Sequence, residues 1–184
     1  MGGGLVTPYD WLLVFVGVAV VVLFTFSRLV RALLGLVELW MATLLSGLLY
    51  QALAFRLQAL TGRSPVLGRG LIFDILLLVF LVVGYISTRI AFPVTKLPAL
   101  GVLDNLLALL VGVVIAVLLL ALLVNSLGVM TSERWSANPT GWGRLRAVFV
   151  TSRIRQWTAP MLRLYAWSFV PFFHGIPPAL APQG

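Results

Sequence analysis

Five carboxylates and one imidazole are the groups in this 184-residue chain best suited to move protons or hold a metal. They are Asp10, Glu38, Asp74, Asp104, Glu133 and His174. No catalytic set arises from them. The chain holds no Ser/His/Asp spacing, no phosphate-binding loop and no HExxH pair of histidines. An intramembrane protease would need paired aspartates or a Ser/His pair within helices, and Asp74 and Asp104 stand near expected helix ends. With no cysteine and a lone histidine far from any acid, metal binding is not expected. The residues therefore predict a protein that is not an enzyme and needs no cofactor.

Each acid has a structural role open to it. Asp104 precedes the apolar run Leu106–Val124, so it can accept the orphan N–H groups of a helix start and meet the positive end of the dipole. Ala108, Gly112 and Ala116 follow it at steps of four, on one helix face. Small residues at this spacing let a second membrane helix approach closely, so Asp104 is also placed to bond across that interface. Glu38 is the deepest acid. An acid at membrane depth pairs with a neighbour or marks an ion path. Arg31, seven residues earlier on much the same face, and Arg28 are the expected partners. Asp74 stands three residues into its apolar segment, where a solvated or dipole-stabilising acid belongs.

The segments that position these residues are those of a membrane protein. The chain is 61% hydrophobic and 10% charged, with a mean hydropathy of +1.08. A soluble domain is about 45–50% apolar and about 25% charged. The apolar runs are continuous rather than alternating, which favours helices over a barrel. Four are visible: Trp11–Phe26, Ala32–Phe55, Leu71–Phe92 and the run that follows Asp104 to Asn125-Ser126-Leu127-Gly128. The first two have no breaker between them. One helix from Trp11 to Phe55 would be roughly 67 Å long, so the chain must turn near Ser27–Arg31. The loop Arg56–Gly70 and the stretch Pro93–Gly101 carry the next two turns. The amino end lacks a basic region and a cleavage site, so the first run reads as a retained helix.

The net charge of +8 suits anionic lipid headgroups at helix ends better than nucleic acid. The segment 129–184 interleaves Arg134, Arg144, Arg146, Arg153, Arg155 and Arg163 with Trp135, Trp142, Trp157 and Trp167, a mix that suits a membrane interface. Residues 144–157 give no clean apolar face. Pro160–Phe173 reads as a helix lying on the membrane, with Pro160 in its first turn. The division expected is a four-helix transmembrane domain, 1–128, and an amphiphilic tail, 129–184.

The segment GVLDNLLALLVGVVIA resembles the CvpA, or colicin V production protein, family of small bacterial inner-membrane proteins. That family has a Gly-x-x-Asp-Arg motif followed by small residues four, eight and twelve positions after the Asp. Gly101, Asp104, Ala108, Gly112 and Ala116 match it, while Asn105 and Ile115 stand where basic residues are common. Asp10, followed by SRLVRALLGLVELW with Arg28 and Arg31, resembles the family's junction of helices one and two, although Ala32 replaces its Glu. Gly84 and the ERWSANP stretch also fit, so the resemblance covers about residues 9 to 140.

The resemblance implies an all-α, multi-pass inner-membrane bundle of four helices that is linked to toxin production, export or envelope maintenance. The small-residue face of the fourth segment, for its part, suggests tight packing within the chain or with others, so a membrane-protein partner or a homo-oligomer within the lipid bilayer is expected. Relatives with an extracytoplasmic protease imply that both ends lie outside the cytoplasm. Arginine counting favours both ends inside, because the alternative leaves only Arg28, Arg31, Arg89 and Lys96 in cytoplasmic loops. Two other functions suit the residues: a small channel or transporter with Glu38 and Asp74 in a polar path, and a structural subunit of a larger membrane complex.

Overall fold

Runs of Leu, Val and Ala cannot leave backbone N–H and C=O groups bare in hydrocarbon, and a helix satisfies them internally. In the computed structural model each run is a helix. The structure describes residues 8–25, 28–61, 65–92, 102–130, 153–173 and 180–181. The helices are α1 (Pro8–Thr25), α2 (Arg28–Thr61), α3 (Pro65–Ala91), α4 (Val102–Met130) and α5 (Arg153–Trp167), followed by a 3-10 turn at Val170–Phe172. The described residues form no strand. Three of these helices are long and apolar enough to cross a membrane, over Arg28–Ala59, Gly70–Ala91 and Leu103–Met130. α1 is a shorter apolar helix over Asp10–Thr25.

α1 to α4 run up and down. Gly17 of α1 lies against Leu120 of α4, and Phe24 lies against Gly112, so these two helices are antiparallel. The same reversal relates α2 to α3. Tyr50 meets Phe73 edge-on at 5.9 Å between centroids, and Arg31 donates from Nη2 to the carbonyl of Phe92 at 3.2 Å. α3 and α4 are antiparallel too, since Ser126 bonds Asp74 while Gly70 faces Met130. One end of the bundle therefore gathers Asp10, Tyr50, Asp74 and Ser126. The other gathers Thr25, Arg28, Phe92 and Asp104. Leu39, Tyr50, Phe73, Leu77 and Leu122 are buried between α2, α3 and α4. Burying such a side chain stabilises a fold in water by about 1.5–3 kcal/mol. Between apolar helices in lipid that term is absent, so close packing and cross-helix hydrogen bonds must hold the bundle.

Three boundaries depart from the sequence expectation. α2 runs on to Thr61, because Leu57, Gln58, Ala59 and Leu60 are good helix formers and the first breaker is Gly62. α3 starts at Pro65, whose missing N–H is harmless in a first turn. Asp74 is thus the tenth residue of its helix and lies beyond the N-terminal dipole region expected for it. α4 continues to Met130, past the expected division after residue 128.

The largest departure is α5. It starts seven residues before Pro160, which lies inside it, and it does not lie flat on the bundle's end. Thr158 and Leu162 pack beside Ala121 and Asn125 of α4. Tyr165 reaches Thr43, Ser168 reaches Trp40, and Phe173 returns to Gly47. Thr158, Leu162, Ala166 and Phe169 are buried, a spacing of four, four and three that lines one helix face. Leu39 and Thr43 lie 11 and 15 residues along α2 from Arg28, roughly 17–22 Å from that end of the bundle. The α5 segment therefore dips deep between α2 and α4 and turns back. The residues 131–152 and 174–179, which include Glu133, Arg134, Trp135, Trp142 and His174, lie outside the described residues, as does Gly101.

α1 and α4 approach closely at Gly112, where a Cβ would come within 2.9 Å of the Phe24 Cβ and 3.6 Å of the Val21 carbonyl oxygen. Gly112→Leu should lower the unfolding free energy in mild detergent by about 1–3 kcal/mol, the usual range for overpacking. Gly112→Ala should lower it less. Equal stability of all three proteins would show that α1 does not depend on this contact.

Candidate functional site

α1 ends at Thr25 and α2 begins at Arg28, so the chain reverses within two residues. Arg28 takes a φ of 65°, the left-handed conformation that a side chain disfavours by about 1–2 kcal/mol. The next peptide, Leu29, has an N–H with no partner inside its own helix. It donates to Oδ1 of Asp104 at 3.0 Å. The Arg28 guanidinium stands 4.0 Å from Oδ2 of the same carboxylate. Asp104 is 2% exposed, and this oxygen makes no hydrogen bond. The expected helix cap is therefore built across the interface. Asp104 sits in the first turn of α4 and caps the start of α2.

Ala108, Gly112 and Ala116 are buried on α4, as a packing face requires. Gly112 meets α1. Asn105 is exposed, away from this face. Asp10 is buried at the opposite end, in the first turn of α1. The residues picked out on sequence therefore gather as helix contacts at both ends of the bundle.

Glu38 does not pair with Arg31 or Arg28. Arg31 is used at the α2–α3 junction on Phe92, and Arg28 is used at Asp104. Glu38 instead lies over Gly84 of α3, where a Cβ would sit 3.2 Å from the Glu38 Cγ. Its Oε1 accepts a hydrogen bond from the Thr88 hydroxyl, one turn further on. Gly84 leaves room for the side chain and Thr88 supplies the donor. Neither was legible as a partner from Glu38's own neighbourhood in sequence.

Asp74 uses Oδ2 to accept from the Ser126 hydroxyl at 2.8 Å, while its buried Oδ1 has no hydrogen-bond partner. Ser126 lies within hydrogen-bonding distance of the Leu123 carbonyl as well, at 3.0 Å. Asp74 and Gly84, which marks the level of Glu38, are ten residues apart on α3, roughly 15 Å along its axis. The two acids occupy different levels, and each is bonded to a different helix pair.

A polar cluster that sequence reading missed holds α5. The Thr43 hydroxyl lies 2.7 Å from the Leu39 carbonyl oxygen, Tyr165 Oη lies 3.1 Å from it, and the two hydroxyls are 2.9 Å apart. Trp40 donates from Nε1 to Ser168 Oγ at 3.0 Å and stacks on Phe169 at 5.3 Å. Among the described residues no group of three or more His, Cys, Asp or Glu could hold a metal ion.

A cleft of about 410 Å³ opens on the bundle surface where α1, docked on α4, stands off from α2 and α3. Phe15, Phe24, Tyr85, Ile115 and Leu119 help line it, and Glu38 is its only acidic or basic residue.

Removal of the Asp104 carboxylate should be felt at α2. Asp104→Ala should destabilise the protein in detergent by about 2 kcal/mol, from a lost cap and a lost charge-assisted bond. Asp104→Asn, which keeps an acceptor, should lose less. A similar loss in both would mean that the Leu29 bond contributes nothing. For α5, a double-mutant cycle of Thr43→Val with Tyr165→Phe should give a coupling of about 0.5–1.5 kcal/mol. A coupling of zero would separate the two hydroxyls energetically.

No family model matches the chain, and neither a curated protein nor a solved structure matches it.

Proposed function

We propose that this chain is a four-span protein of the bacterial inner membrane, of CvpA type, that acts as a non-catalytic accessory factor in toxin production, export or envelope maintenance. The observation that carries the reading is where the residues of the resemblance lie. Asp104, Arg28, Arg31, Gly112 and Gly84 each stand at a junction between two helices. They hold helices in place and surround no reaction centre. The fourth span is α1. Its apolar part, Asp10–Thr25, is 16 residues long, roughly 24 Å. Exposed Trp11 suits one headgroup layer and Arg28 the other.

Transport is a second reading, favoured by the open cleft beside Glu38. It is the weaker of the two, because Asp74 is bonded at another level and supplies no second step of a path.

Affinity purification from native membranes tests the accessory role. The expected result is a stoichiometric membrane-protein partner that is lost with Asp104→Ala and Gly112→Leu under conditions where the chain itself still inserts. Recovery of the chain alone as a defined homo-oligomer, with ion flux in liposomes abolished by Glu38→Gln, would replace this function with transport.

A further inference from the structure

The outer face of α5 is polar at a depth where its neighbours are apolar. Gln156, Pro160, Arg163 and Trp167 are exposed at spacings of four, three and four, which lines one side of the helix. Arg163 stands well inside the bundle's span. Leu162, the residue before it, packs beside Ala121, next to Leu120, which faces Gly17. Gly17 is seven residues along α1 from Asp10, roughly 10 Å inside that end. α2 gives the same depth. Tyr165 meets Thr43, and Thr43 is seven residues from Tyr50 at that end, again roughly 10 Å. At this level α1 exposes Phe15 and Val18, and α3 exposes Leu78 and Val82. No described carboxylate pairs with Arg163: Glu38 bonds Thr88, Asp74 bonds Ser126 and Asp104 faces Arg28.

We propose that this face of α5 binds the headgroup phosphate of an anionic phospholipid, drawn inward to Arg163. An exposed cation at this depth is costly unless an anion meets it. α5 enters from the Asp10 end, since Thr158 lies beside Asn125 and Tyr165 lies deeper. Side chains lean toward the N-terminus of their helix, so the Arg163 guanidinium is directed back toward the headgroups at that end. Lipid phosphates lie there already, and a small inward displacement brings one to the arginine. A carboxylate on a partner helix is the poorer occupant, because it would itself have to be carried to this depth. The planar guanidinium fits two phosphate oxygens at once. Gln156, two turns nearer the headgroups on the same face, adds amide donors, and Leu164 and Trp167 offer apolar surface to the acyl chains. A zwitterionic lipid binds less well, since its own ammonium competes for the phosphate. The inference concerns lipid binding and stands apart from the accessory role.

Native mass spectrometry of the full chain in mild detergent tests it. The delipidated protein is titrated with phosphatidylglycerol, with phosphatidylcholine of the same chains, or with the matching diacylglycerol, which lacks phosphate. The expected result is a single retained phosphatidylglycerol, held at least about tenfold more weakly by Arg163→Gln. Phosphatidylcholine should be held more weakly and diacylglycerol not at all. Arg89→Gln, at an exposed arginine in the last turn of α3, should leave retention unchanged. Undiminished retention by a folded Arg163→Gln protein would overturn the proposal. So would an equal loss in Arg89→Gln, which would mark a diffuse charge effect, or equal retention of diacylglycerol, which would make the face a groove for acyl chains. Absence of retained phosphatidylglycerol in the unaltered protein would also overturn it and leave Arg163 to a protein partner. If Arg163→Gln fails to fold, Arg163→Leu, which suits a lipid-facing position, takes its place with the same expectation.

Discussion

The bundle depends on one buried carboxylate that serves two helix starts. α2 and α4 run the same way, so their positive N-terminal ends lie together at one end of the molecule. In a low-dielectric solvent two such ends repel, and the guanidinium of Arg28 adds a third positive group. The Asp104 carboxylate lies among all three. It stands in the first turn of α4, accepts the Leu29 N–H at the start of α2, and faces Arg28. The same contact makes the abrupt reversal after α1 tolerable. A left-handed Arg28 is unfavourable in isolation, but it delivers the Leu29 N–H and the guanidinium to the same anion.

Elsewhere the polar side chains follow the same logic on a smaller scale. Hydrocarbon neither drives apolar helices together nor solvates a hydroxyl, so each buried polar group is worth most where it joins two helices. Ser126 and Asp74 join α4 to α3, Thr88 and Glu38 join α3 to α2, and Thr43 and Tyr165 join α2 to α5. α2 takes part in most of these links. It is also the longest helix, and its central polar cluster fixes how deeply α5 can insert.

The sequence made the helices legible because their apolar runs are long, and it made the α4 packing face legible because small residues recur at steps of four after Asp104. It pointed to a bond from Asp104 across that face but not to its target, the start of α2, since no periodicity encodes which helix lies opposite. The partner of Glu38 was missed for the same reason. Arg31 is near in sequence, whereas Thr88 is 50 residues away and becomes a neighbour only through antiparallel pairing. For α5 a signal existed and was overridden. Thr158, Leu162, Ala166 and Phe169 keep a helical spacing, but Pro160 suggested a helix start and the arginines suggested a surface. In the fold Pro160 lies on the exposed side of α5, where the hydrogen bond it removes is least costly.

The position of α1 shows how packing and function are linked here. The tight reversal before Arg28 should leave α1 beside α2, its neighbour in sequence. Gly112 and Gly17 draw it onto α4 instead, because there the backbones can approach closely. That choice packs α1 on α4 and leaves it meeting α2 where Phe24 lies against Gly35, with a gap beside the rest of the α2–α3 pair. The side so exposed is the one that carries Glu38, held against Gly84 and Thr88 rather than turned outward. The cleft is thus a consequence of which helix the small residues select. Its single carboxylate remains at depth because the α2–α3 pair, which does not depend on α1, already supports it. The acid is a link between α2 and α3, bonded to Thr88 at the edge of an apolar cleft.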